Sequence, residues 1–129
     1  MRKLAQLLLV LTALTITLTA CGAAASGPSK PVQDMQTSHV FTGTGNETTP
    51  TFKVPNDWRI VWSCHPSGTY ATYGYAFDIF AFDTHGNGID AIDSMCAPGQ
   101  LSGSSVESLG GNVYLQIDSS GNWTVEVQQ

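Results

Sequence analysis

Apolar side chains recur at every second position in several separated stretches of this chain, and that period belongs to strands rather than helices. In Asp57–Cys64, Trp58, Ile60, Trp62 and Cys64 share one face, while Arg59, Val61 and Ser63 share the other. This pattern predicts a central strand carrying two indoles into the core. Tyr70–Phe82 is longer, with Tyr73, Tyr75, Phe77, Ile79 and Ala81 on one side and Gly74, Ala76, Asp78, Phe80 and Phe82 on the other. Aromatics on both sides predict a strand covered on both faces for part of its length. In the final stretch Val113, Leu115 and Ile117 alternate against Tyr114, Gln116 and Asp118, and Trp123, Val125 and Val127 against Thr124, Glu126 and Gln128. The intervening Ser119-Ser120-Gly121-Asn122 predicts a hairpin between the two runs.

Weaker β-prone runs complete the set. Val40–Gly43 and Thr48–Val54 are short, and Pro50 and Pro55 keep the second from a central place because neither carries an amide donor. Ile89–Met95 follows a turn at Asp83–Gly88, and the Gly/Ser-rich segment 99–111 offers an edge strand around Val106 and Leu109. Seven or eight short strands with little helical periodicity predict an all-β fold, an antiparallel β-sandwich of jelly-roll or immunoglobulin-like connectivity. Trp62 lies two residues before Cys64, so the Cys…Trp…Cys order of immunoglobulin domains is absent. Residues 111–127 resemble the ending of small uncharacterised exported bacterial β-sandwich domains, a resemblance that implies fold and not activity.

The N-terminus sets location. Arg2 and Lys3 precede an apolar run from Leu4 to Ala20, the pattern of an export signal. Leu18-Thr19-Ala20-Cys21 resembles the lipobox of bacterial lipoproteins. That resemblance implies cleavage before Cys21 and attachment of lipid to its thiol. The expected organisation is a signal peptide over 1–20, a lipidated cysteine and disordered tether over 21–38, and a sandwich domain over 39–129. The tether is rich in Ala, Ser, Gly and Pro and has too little apolar surface to offset the cost of ordering. The expected localisation is extracytoplasmic, lipid-anchored to the cell membrane, or to the outer membrane where a cell has two. Beyond residue 20 the chain has three basic residues and ten acidic ones, a net charge of −7. Such a surface is a poor match for nucleic acid, which needs clustered cations.

Export also bears on Cys64 and Cys96, which remain once Cys21 carries lipid. In an oxidising compartment, at the ends of two β-prone runs, they are expected to form a disulfide, with two free thiols as the alternative.

Chemistry is sparse. No GxSxG, HExxH, CxxCH, phosphate-loop or dinucleotide motif is present, and His39, His65 and His85 follow no zinc spacing. No catalytic residue and no cofactor is expected. Asp83–Asp90 resembles the front of a calcium loop, for which only Asp83, Asn87, Asp90 and Asp93 could supply side-chain oxygens. His85 replaces an oxygen ligand at the third position and Ser94 replaces the bidentate Glu at the twelfth, so a hairpin turn is the preferred reading. Tyr114, beside Gln116 on the polar side of its strand, and Tyr70, after a Gly/Ser turn, are candidates for a surface site. Two functions follow as expectations: a noncatalytic extracytoplasmic module binding a glycan, peptide or envelope protein, or a structural envelope lipoprotein without a ligand pocket.

Overall fold

The computed structural model describes residues 34–129. The expected signal peptide, Cys21 and most of the expected tether lie outside the described residues. Nine strands and one helical turn follow in order: β1 (Thr37–Thr44), β2 (Glu47–Thr48), β3 (Phe52–Val54), β4 (Trp58–His65), α1 (Tyr70–Tyr73), β5 (Tyr75–Asp83), β6 (Gly88–Cys96), β7 (Ser102–Glu107), β8 (Gly111–Ser119) and β9 (Asn122–Gln128). Sheet A has the order β1-β9-β4-β7; sheet B has the order β2-β8-β5-β6, with β3 extending the β2 edge along β8. All pairings are antiparallel.

The strand order decides the topology. Only β5 and β6 form a hairpin within one sheet; apart from the broken β2–β3 edge, every other connection crosses to the opposite sheet. Taking β2 and β3 as one interrupted strand leaves eight, wound in jelly-roll order. The immunoglobulin-like alternative is thereby excluded.

Between the sheets the period-2 faces meet as one core. Trp58, Ile60, Trp62 and Cys64 of β4 and Trp123, Val125 and Val127 of β9 oppose Tyr75, Phe77, Ile79 and Ala81 of β5 and Val113, Leu115 and Ile117 of β8. Each buried side chain of this kind contributes roughly 1.5–3 kcal/mol relative to exposure. Two of the three buried indoles donate their N–H groups to loop carbonyls: Trp58 Nε1 to Leu109 O at 2.8 Å and Trp123 Nε1 to Gly45 O at 2.9 Å. Cys64 and Cys96 are disulfide-bonded, Cα atoms 6.0 Å apart, and tie β4 of sheet A to the end of β6 in sheet B.

Three expectations need correction. The folded unit begins before residue 39: Met35 is buried, Gln36 and Gln129 exchange both backbone hydrogen bonds at 3.0 Å, and β1 starts at Thr37. Tyr70–Tyr73 is a helical turn instead of the start of a strand. Gly74, at φ 72°, ends it, and the carbonyl of Cys96 and Ala97 leave no space there for a Cβ. Residues 112–127 form no hairpin. Their inward faces are as expected, but β8 belongs to sheet B and β9 to sheet A, so Ser119–Asn122 bridges the layers. Ser119 is buried in this corner, its amide donating to Asn46 Oδ1 at 2.8 Å. On the outer side of β5, Phe80 and Phe82 are half-buried.

Candidate functional site

The outer face of sheet B collects most of the chain's unusual surface chemistry. Strand register sets it in rows. Asp78 of β5 lies between Asp93 of β6 and Asp118 of β8; Phe80 lies between Ala91 and Gln116, with Thr48 beyond Gln116; Phe82 lies beside Tyr114. The Phe82 and Tyr114 rings stack, centroids 5.4 Å apart and planes 22° off parallel. This pairing explains why two large rings tolerate an outward position: each covers the other's face. Gln116 is exposed, and Phe80 and Tyr114 are half-buried.

The acidic row above the rings is electrostatically strained. Partial burial, then Asp93 alongside, pushes the Asp78 carboxyl above its ordinary 3.8, with a smaller push from Asp118. Its Oδ1 is buried and has no hydrogen-bond partner, so only the other oxygen can face a ligand. The surface thus combines an aromatic patch, an amide and a line of acceptors. Such a surface can stack on a flat apolar face and accept hydrogen bonds from hydroxyl or amide donors. Its charge opposes anionic ligands.

Tyr114 and Gln116 are therefore neighbours, as their shared strand face required. Tyr70 does not join them. Its ring packs edge-on against Tyr75, centroids 5.5 Å apart, at the start of β5. Phe82 and Tyr114 lie seven positions further along that strand, roughly 23 Å away at the usual rise. Phe80, Phe82 and the aspartate row were missed in sequence because an outward face reveals nothing of the strands beside it.

The four calcium-loop candidates are dispersed. Asp83 Oδ1 accepts from the amides of His85 and Asn87 at 2.8 and 2.9 Å, and Oδ2 accepts from Asn87 Nδ2 at 2.7 Å. These bonds, the Asn87 side-chain amide foremost, hold the Asp83 carboxyl below its ordinary value. The turn uses both oxygens, as a β-hairpin with an Asx-type cap does. Asp93 points outward beside Asp78, whereas Asp90, an odd number of residues away, points inward beside Ala81. Among the described residues no group of three or more His, Cys, Asp or Glu side chains is placed to hold a metal ion. His39 packs against Phe41 and Phe52.

A shallow surface depression of about 530 Å³ is lined by Lys53, Val54, Pro55 and Gln129, with none of the candidate residues among them. Comparison of the chain with protein-family models and with curated proteins gives no match.

Proposed function

We propose that this chain is a lipid-anchored, extracytoplasmic binding module without catalytic chemistry, whose ligand is a neutral glycan or a peptide held on the outer face of sheet B. The observation that carries this reading is the stacked Phe82–Tyr114 pair flanked by Phe80, Gln116 and the Asp78–Asp93–Asp118 row. Rings beside hydrogen-bonding groups suit a ligand with one apolar face and a rim of donors. The carboxylates and the net charge of −7 beyond residue 20 favour neutral over anionic ligands. The membrane is reached through Cys21, on the strength of the charged tip, apolar run and Leu-Thr-Ala-Cys ending of residues 1–21.

The test is an array of envelope glycans and peptides probed with the purified protein and with Tyr114→Ala. The reading expects retention of one or more neutral members and loss of that retention in the variant. A second reading, a structural envelope lipoprotein, is favoured by the openness of the face and by the mutual cover of Phe82 and Tyr114. It expects no retained member and an effect of Tyr114→Ala on stability alone.

A further inference from the structure

Glu107 ends β7, the edge strand of sheet A, and points inward in register with Trp58. It is only 5% exposed, and its Oε1 has no hydrogen-bond partner. A carboxylate buried to that degree is normally paired or bound to a metal, because desolvation without a partner costs several kcal/mol, roughly. What faces Glu107 is another acid. Asp90 of β6, the edge strand of sheet B, points inward from the other layer, and its Oδ2 accepts from the Ser105 hydroxyl at 3.3 Å. Burial first, and then the neighbouring Asp90, push the Glu107 carboxyl above its ordinary value.

No side-chain cation among the described residues relieves this pair. Arg59 is on the outer side of sheet A, bonded to Gln128, and Lys53 is on the outer side of sheet B beside Asn112. A proton shared between the two carboxyls would remove one charge of the pair, and it is the arrangement that the titration below separates from a bound ion.

We propose that Asp90, Ser105 and Glu107 form a site for a divalent cation of the calcium type, bridging the open edge between β6 and β7. Two carboxylates match the ion's charge. Carboxylate and hydroxyl oxygens are the hard ligands it prefers, and the Ser105 hydroxyl can turn a lone pair toward it. Waters complete the coordination. With two carboxylates the affinity falls near the range of extracellular modules, a Kd of about 10⁻⁴–10⁻³ M. The site is distinct from the 83–88 turn, whose oxygens are engaged locally, and from the outward Asp93.

The purified full chain, stripped with chelator, is titrated with calcium alone, reading stoichiometry by calorimetry and stability by thermal melting. One ion per chain is expected, with a rise in Tm of about 3–8 °C at saturating calcium. Glu107→Gln and Asp90→Asn should each abolish both signals, while Asp93→Asn on the opposite side of β6 keeps them. Near-UV circular dichroism establishes that each variant is folded; should one unfold, the other decides. No saturable binding up to about 10 mM, far above the expected range, would overturn the site. So would binding undiminished in both Glu107→Gln and Asp90→Asn, or binding lost in Asp93→Asn alone.

Discussion

Cys64 and Cys96 join the two sheets at the inward ends of β4 and β6, with their Cα atoms 6.0 Å apart. The bond encloses the chain from α1 through the β5–β6 hairpin. With a sequence separation of 32, the chain-closure model assigns it about 3–4 kcal/mol. Replacing both cysteines with alanine should lower the unfolding free energy by that amount in urea titrations, with jelly-roll packing retained. A loss below about 1 kcal/mol would mean that the denatured chain is already compact over this segment.

Two tryptophans lie over glycines of the edge strands. Gly43 of β1 is in register with Trp123 of β9, and Gly103 of β7 with Trp62 of β4, and in both cases a Cβ would fall on the indole ring. The bare backbone lets the ring spread across the strand, a known way of rescuing glycine in sheets. Gly103→Ala and Gly43→Ala should each destabilise by about 1–3 kcal/mol through overpacking. Gly88→Ala, where a Cβ meets nothing within 4 Å, should stay within about 0.5 kcal/mol. Denaturant midpoints compare the three.

Asp78 and Glu107 should each make stability fall as pH rises through the carboxylate range, against the opposite contribution of Asp83, whose carboxyl is held below its ordinary value. Asp78 titrates near 3.8 when unfolded and above it when folded between Asp93 and Asp118. Between those values the folded chain holds more protons, so this group favours the fold most below 3.8 and loses that advantage as pH passes the raised value. Glu107 contributes with the same sign. Asp78→Asn removes one of the two contributions and the like-charge contacts across the strands, which are worth about 0.2–1 kcal/mol. Melting in chelator from pH 3 to 7, spanning the ordinary carboxylate values, should show a shallower decline and a higher Tm at neutral pH for the variant.

The anchor makes its own prediction. Cys21→Ser should release the protein from the membrane fraction or leave uncleaved precursor, as seen by fractionation and mass of the product. Equal processing and membrane retention in both forms would remove the lipoprotein reading.

The sequence made the inward faces legible because burial imposes period 2 on each strand by itself. Trp58–Cys64, Tyr75–Ala81 and Val113–Ile117 could be assigned without knowing their neighbours. The same independence hid the partners. Val113–Ile117 and Trp123–Val127 present identical patterns whether the strands lie side by side or face each other across a core, and here they face each other. Tyr70–Tyr73 looked extended because its aromatics are β-prone, but Gly74 sets a positive φ that separates the turn from the strand. Tyr114 and Gln116 could be placed outward from one strand alone. Phe82 beside Tyr114, Asp78 between two aspartates, and Asp90 facing Glu107 all depend on register or on sheet-to-sheet contact, which no single run encodes.

The proposed binding face is tested most directly by titrating a glycan or peptide retained by the protein while following its amides by NMR, with affinities compared for wild type, Tyr114→Ala and Phe80→Ala. The account predicts saturable shifts concentrated in residues 78–82 and 114–118, and affinity at least about tenfold weaker, or 1.4 kcal/mol, in Tyr114→Ala. Shifts centred on Lys53–Pro55 and Gln129, or affinity unchanged in both variants, would contradict it.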